Sequence, residues 1–205
     1  MTIHIEGLDL AGKSTICRLL CKRLDAEHRH NTILPDGANP IYDAANKWRA
    51  DDSILPEAVG WAYYGALLVD LQSYSSPTIA VVQDSTILLR SIVFHRLNGN
   101  SQMVEAFESK LGIHPRFTLS VFLHASAEVR LKRLEGRISR GNDFPDDYLI
   151  RTDPSKFYDM ENNLKDVACR NFDAICVDTS RLEEDGEKER VISLIIDAAE
   201  VRLLK

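Results

Sequence analysis

The amino-acid sequence predicts a three-layer α/β/α domain built on a central parallel sheet of about five strands, with a mobile lid. Three observations carry this expectation. Strand-like and helix-like segments alternate along all 205 residues, the pattern of a parallel sheet covered by helices on both faces. Segment 78–83, reading Thr-Ile-Ala-Val-Val-Gln, is short, apolar and rich in β-branched residues, as suits a strand buried on both faces. The first strand runs through a loop bounded by Gly7 and Gly12 directly into a helix, a strand–loop–helix start typical of such sheets.

The elements follow in order. Residues 2–6 read as a strand. Residues 13–27 read as a helix, with Ile16, Leu19, Leu20 and Leu24 on one face. A second strand is placed at 32–34, stopped by Pro35-Asp36-Gly37. Residues 41–49 and 56–73 read as helices, the latter with Pro56 at its first position, where a missing N–H costs nothing. The strand at 78–83 is followed by a helix at 87–97, broken at Asn98-Gly99-Asn100. Residues 117–123 form the next strand and 127–134 a helix. Segment 136–154 is polar and aperiodic and reads as a lid-like loop, of the length usually reserved for function. A helix at 155–169, a strand at 174–177 and a closing helix at 188–204 complete a single domain over residues 1–205.

Bulk properties narrow the function. The net charge of −6 argues against a sequence-independent grip on nucleic acid, which needs a strongly basic face, but leaves room for a free nucleotide in a local basic pocket. Cys17, Cys21, Cys169 and Cys176 show no CxxC pairing and no histidines at zinc spacing, so they read as free thiols in a reducing cytosol. No run reaches the ~18 apolar residues of a membrane span, and no charged-then-apolar leader opens the chain. A cytoplasmic protein without a membrane partner is expected.

Gly7-Leu8-Asp9-Leu10-Ala11-Gly12-Lys13-Ser14 fits G-x-x-x-x-G-K-[ST] in full, with Thr15 following. The glycines let successive N–H groups turn inward toward phosphate oxygens, and the helix beginning at Lys13 adds its positive end. Lys13 is placed to reach the β- and γ-phosphates of a nucleoside triphosphate, and the Ser14 hydroxyl to help hold Mg²⁺. Phosphoryl transfer also needs an acidic metal partner. Asp84, at the end of the third strand, fills that part or else caps the helix that follows. Arg133, Arg137, Arg140 and Arg151 lie in or beside segment 136–154. They read either as a lid that closes over the phosphates and excludes water, or as a solvated loop balanced by Asp143, Asp146, Asp147 and Asp153.

These pieces resemble the thymidylate kinase branch of the P-loop nucleoside and nucleotide kinases along nearly the whole chain. Residues 5–15, I-E-G-L-D-L-A-G-K-S-T, are similar to the family's I-E-G-L-D-G-A-G-K-S-T. Gly37-Ala38-Asn39-Pro40-Ile41 is similar to its G-G-T-P-I, Val82-Gln83-Asp84 to its strand-end acidic motif, and Leu123–Val129 to the strand and helix before its lid. Ser155-Lys156-Phe157-Tyr158 and Cys176-Val177-Asp178-Thr179-Ser180 resemble later segments. The resemblance implies an ATP- and Mg²⁺-dependent kinase with a closing lid, often a homodimer. Lys13, Asp84, Arg137 and Arg140 would be catalytic, Ser14 and Asp84 would hold the metal, and Asp9 would contact the acceptor sugar.

The departures concern the acceptor. The family's Asp-Arg-Tyr reads Asp84-Ser85-Thr86, its arginine before G-G-T is replaced by Leu34, and its Asp-Arg pair after the third helix reads Asp70-Leu71. Arg49, Arg90, His95 and Arg96 are candidate substitutes; Asp9, Arg49, Tyr64 and Arg90 are the candidate acceptor-binding residues. Trp48, Trp61, Tyr63, Tyr64 and Tyr74 either pack helices together or offer a ring to a base. The expected substrate is a nucleoside monophosphate such as dTMP. The alternatives are a nucleoside or other small-molecule kinase, or a degenerate nucleotide-binding or regulatory domain. A base-reading N-K-x-D motif, which a guanine-nucleotide switch would carry, is absent.

Overall fold

The computed structural model describes residues 1–142 and 145–204, without the side chains of 145 and 146. Five strands, β1 (Thr2–Glu6), β2 (Glu27–His30), β3 (Val81–Asp84), β4 (Leu119–His124) and β5 (Ile175–Asp178), form one sheet in the order β2-β3-β1-β4-β5. Every pairing is parallel. The chain leaves β1 toward β2 and leaves β3 toward β4, so the crossovers diverge between β1 and β3. That divergence opens a crevice beyond the carboxyl ends of these two strands, where ligands of open α/β sheets bind.

Side-chain alternation along the strands sorts the helices into two layers. Ile3 and Ile5 of β1, Val82 of β3, and Leu119, Val121 and Leu123 of β4 pack with Ile16, Cys17 and Leu20 of α1 (Lys13–Leu24). Val191, Ile192 and Ile195 of α9 (Glu187–Leu203) complete this layer. On the other face, Phe122 joins residues of α3 (Pro56–Ser73), α4 (Ile87–Leu97), α5 (Ser101–Glu108), α6 (Ala127–Ile138) and α8 (Pro154–Phe172). Each fully buried aliphatic side chain contributes roughly 1.5–3 kcal/mol. The remaining helices are α2 (Pro40–Arg49), which packs on α3, and the short α7 (Leu149–Thr152). No helix among the described residues is long and apolar enough to cross a membrane.

The parallel sheet, its five strands and its two helical layers agree with the sequence expectation. Several boundaries differ. The second strand lies at Glu27–His30 rather than at 32–34. The first helix stops at Leu24 because Asp25 adopts a left-handed φ of 49°, and the chain turns into the sheet five residues early. Helix α5, capped by the Asn100 side chain, follows a break after which no helix was expected. Segment 136–154, expected to be a loop, is largely helical: α6 runs to Ile138, and a 3-10 turn (Pro145–Tyr148) leads into α7 and α8. Asp143 of that segment lies outside the described residues.

Candidate active site at the phosphate loop

The loop between β1 and α1 is shaped by three left-handed or unusual backbone positions: Gly7 (φ 144°), Leu10 (φ 64°) and Gly12 (φ 87°). A Cβ on Gly7 would stand 2.4 Å from the Leu123 carbonyl oxygen at the end of β4, so only glycine fits there. Leu10 carries the cost of a left-handed conformation, which is offset because its side chain is buried with Leu8 in the core under α3 and α4. Gly12 is the N-cap of α1 and offers no side chain to its first turn. By contrast, the side chains of Asn39, Thr86, Asn100, Ser126 and Asp153 cap α2, α4, α5, α6 and α8. Thr15 and Ile16 N–H donate to the Gly12 carbonyl at 3.1 Å, while Lys13 and Ser14 at the very start of α1 precede any intrahelical acceptor, and this end of the helix is suited to an anion. The backbone therefore fits the phosphates of a nucleotide.

Charges converge on this loop. Lys13 Nζ lies 3.4 Å from the Leu8 carbonyl. Burial, then the neighbouring Arg90, lower its pKa, while Asp9, Asp84 and Glu6 act the other way. Burial pushes Asp9 up, but Lys13, Arg90, Arg137 and Arg130 together hold its carboxyl below the usual range. Asp84 is buried at the end of β3, directly across from Ile5 of β1 in the strand register. Asp84 and the Ser14 hydroxyl on the first turn of α1 are hard oxygen donors, which suit Mg²⁺ shared with phosphate oxygens and water.

Arg90 reaches the loop from α4. Its Nε donates to Glu6 Oε1 at 3.0 Å, and its Nη2 to the Gly7 carbonyl at 2.6 Å and to Ser85 Oγ at 3.1 Å. Ser85 also donates to Glu6 Oε1 at 3.0 Å. Glu6 is wholly buried; burial opposes its ionisation, but Arg90, His4 and Lys13 hold its pKa at about 2. The other candidate substitutes are placed differently. His95 is buried and stacked on Phe107, Arg96 pairs with Glu108 at 2.7 Å, and Arg49 lies against the Tyr63 phenol. Tyr64 sits edge-on to Trp61 and to Phe107, with centroids 5.8 and 5.3 Å away, so it packs α3 onto α5.

The arginines of α6 divide by depth. Arg130 is fully buried, donates to the Asp9 carbonyl at 2.6 Å, pairs with Glu161 and lies over the Phe157 ring. Arg133 donates to the carbonyls of Leu10 (2.9 Å) and Thr179 (2.7 Å). The Thr179 hydroxyl, in turn, lies 2.8 Å from the Ala11 carbonyl. These three residues clamp the loop through the carbonyls of Asp9, Leu10 and Ala11. Arg137 is 31% exposed and donates to the buried Asp147 at 2.5 Å. Arg140 is exposed just past the end of α6, and Arg151 stands 3.8 Å from Glu135.

The clamp residues Arg130 and Thr179 and the buried partner Glu6 were not singled out in the sequence. One signal was available for Arg130: it is four residues before Leu134 and therefore on the same, buried face of α6.

Beside the carboxyl end of β2, a cleft of about 260 Å³ is lined by His30, Thr32, Asp36, Gly37, Asn39, Tyr42 and Asp43. His30 is level with Asp84 in the β2–β3 register, so the cleft opens at the same carboxyl-end edge of the sheet as the phosphate loop. Asn39 in its wall is held by the buried Asp70 of α3, which accepts from Asn39 Nδ2 (2.6 Å) and from the Ile33 N–H (3.0 Å). Burial raises the Asp70 pKa to about 6 against those two hydrogen bonds.

No protein-family model matches the chain, and no curated protein matches it in sequence. In three dimensions it is similar to a deoxyadenosine kinase from M. mycoides solved with dCMP and dCDP, with a TM-score of 0.61 and 19% identity over 100% of both chains. It is also similar to a thymidylate kinase from Candida albicans, with a TM-score of 0.65 and 15% identity over 98% of this chain and 91% of that one. The chain therefore has the nucleotide-kinase fold of the thymidylate kinase type.

Proposed function

We propose that this protein is an ATP- and Mg²⁺-dependent phosphotransferase acting on a nucleoside or its monophosphate. The observation that carries this reading is the juxtaposition, at the β1–β3 crevice, of the glycine-capped start of α1 with Lys13, Asp84 and Arg90. The nucleoside and nucleotide kinase activities of the structural neighbours support it. The backbone N–H groups of the loop and helix start, with Lys13, would hold the β- and γ-phosphates. Ser14 and Asp84 would hold the metal, which neutralises charge on the group being transferred. Arg137 and Arg140, beyond the clamp, would meet that charge as it develops in the transition state. Chemistry at this site is mainly positioning and electrostatics, as phosphoryl transfer requires.

The cleft beside β2 would take the acceptor. It carries the carboxylates of Asp36 and Asp43 and no arginine. An acceptor phosphate placed there would meet like charge, whereas sugar and base groups find hydrogen-bonding partners. This favours an uncharged nucleoside presenting a hydroxyl. A monophosphate acceptor such as dTMP is the second reading, favoured by Arg90, which sits against Ser85 where the family resemblance places an arginine. A phosphorylation assay with Mg-ATP across nucleosides and monophosphates tests both. Transfer to nucleosides supports the first reading, and transfer confined to monophosphates supports the second. Nucleotide binding without transfer to any acceptor would overturn both in favour of a regulatory domain.

A further inference from the structure

One cluster of ligating side chains stands beside the phosphate loop, and of its three members only Asp84 has a part in the scheme above. Cys17, on the turn of α1 after Lys13, is fully buried. Its thiol, a ring nitrogen of His28 on β2 and a carboxylate oxygen of Asp84 on β3 all lie within 4.8 Å of one another. The His28 Nε2 to Asp84 Oδ2 distance is 3.9 Å, with His28 43% exposed and Asp84 4% exposed at the side chain. The three residues come from three different elements, so no sequence spacing reveals them, and they are the one such metal-competent group among the described residues.

We infer that Cys17, His28 and Asp84 form a site for a thiophilic divalent cation of the zinc class, whose occupancy withdraws Asp84 from the phosphate loop and inhibits the enzyme. The donor set is one sulfur, one imidazole nitrogen and one carboxylate oxygen. That mixture selects zinc-like ions over Mg²⁺ and Ca²⁺, which take oxygen ligands. Bond lengths of about 2.0–2.3 Å in a tetrahedral site put ligand atoms roughly 3.3–3.7 Å apart. The cluster is already close to this spacing. The exposed His28, on the sheet edge, has room to rotate through the remainder, and it marks the side from which an ion enters. On binding, the Cys17 S–H bond breaks, its proton goes to solvent, and a sulfur–metal bond forms. Three protein ligands leave a fourth position for water.

The inhibitory half of this inference rests on Asp84 serving the catalytic metal; the site itself does not. The test therefore reads metal binding directly. Co²⁺ is titrated into the 205-residue chain carrying Cys176→Ser, so that the Cys169–Cys176 pair, with sulfurs 3.9 Å apart, does not contribute. One equivalent should produce a thiolate-to-cobalt charge-transfer band and tetrahedral ligand-field absorption, both displaced by Zn²⁺ and unaffected by excess Mg²⁺. Adding Cys17→Ser should abolish the band. Adding His28→Gln, at an exposed position where folding is not at stake, should weaken binding by at least about tenfold, the scale on which even outer-shell partners act. Absence of the band, or its survival in both variants, would overturn the site. In parallel, micromolar Zn²⁺ should suppress Mg-ATP turnover in the wild type and lose that effect in His28→Gln. Equal suppression in both would overturn the inhibitory role. A cobalt band in a protein that transfers no phosphate would leave the site standing and fail the kinase reading instead.

Discussion

Arg90 Nη2 lies 3.1 Å from Ser85 Oγ, so the guanidinium of α4 occupies the neighbourhood of the position at which the resembling family carries an arginine in its Asp-Arg-Tyr motif. In this chain the cation beside Ser85 is supplied from α4. Ser85 adopts a left-handed φ of 61° and donates its hydroxyl to Glu6. Glu6, Ser85 and the partly exposed Arg90 thus form one hydrogen-bonded unit beside the phosphate loop.

Removing one partner of that unit strands the other. Arg90→Met leaves the wholly buried Glu6 carboxylate without its cation and should destabilise the fold by about 3–5 kcal/mol. Combining it with Glu6→Gln should recover much of the loss, because the uncompensated charge is gone. Urea unfolding of the two single variants and the double variant measures this as a double-mutant cycle. Strict additivity would show that the pair is not coupled.

The same pair sets an acid limit. Glu6 has a folded-state pKa of about 2 against an ordinary 4.5. A carboxyl with a depressed folded pKa stabilises the fold fully above its unfolded pKa, and that contribution disappears as pH falls from about 4.5 toward 2. The shift corresponds to on the order of 3 kcal/mol. Urea midpoints measured between pH 6 and pH 3 should decline in the wild type. In Glu6→Gln, which has no proton to gain at this position, the decline should be shallower; identical slopes would remove Glu6 from the acid response.

Leu10 balances two opposed effects. Its left-handed backbone costs about 1–2 kcal/mol, and Leu10→Gly would relieve that. The same change empties a buried site, at about 2–5 kcal/mol for a leucine-sized deletion. Burial wins, so Leu10→Gly should lower stability by about 2 kcal/mol in thermal or urea melts. A stabilised variant would show that strain dominates this loop.

Arg137 and Arg140 should act on the transition state. Arg137→Ala should lower kcat by about 10²-fold or more and change KM for ATP little, the signature of contacts made as charge develops. Asp147→Asn, which loosens the partner that orients Arg137, should lower kcat less. A raised KM at constant kcat would instead make these arginines simple ground-state binders.

The legible parts of this molecule were those encoded locally. The phosphate loop and β1 are contiguous in sequence, and their chemistry follows from seven or eight consecutive residues. Strand β2 was displaced because its residues, Glu27, His28, Arg29 and His30, are polar: a sheet edge tolerates charge, so no apolar period announces it. Arg90 was identifiable as a candidate substitute, but not its partner Glu6, which is 84 residues away and looks like part of a motif. Arg133 read as a lid charge and Arg130 was not singled out, yet both guanidinium groups point inward at loop carbonyls, a role that exists only once α6 is packed against the loop. The Cys17, His28 and Asp84 cluster is likewise a product of topology alone.

The central claim is that the loop at Gly7 to Thr15 drives phosphoryl transfer from ATP. Acceptor-dependent transfer of the terminal phosphate, assayed in wild type and in Lys13→Ala with the fold checked by circular dichroism, tests it most directly. Loss of turnover by about 10³-fold or more, several kcal/mol in the barrier, in a variant that remains folded is the predicted result. Turnover in folded Lys13→Ala equal to that of the wild type would contradict the account.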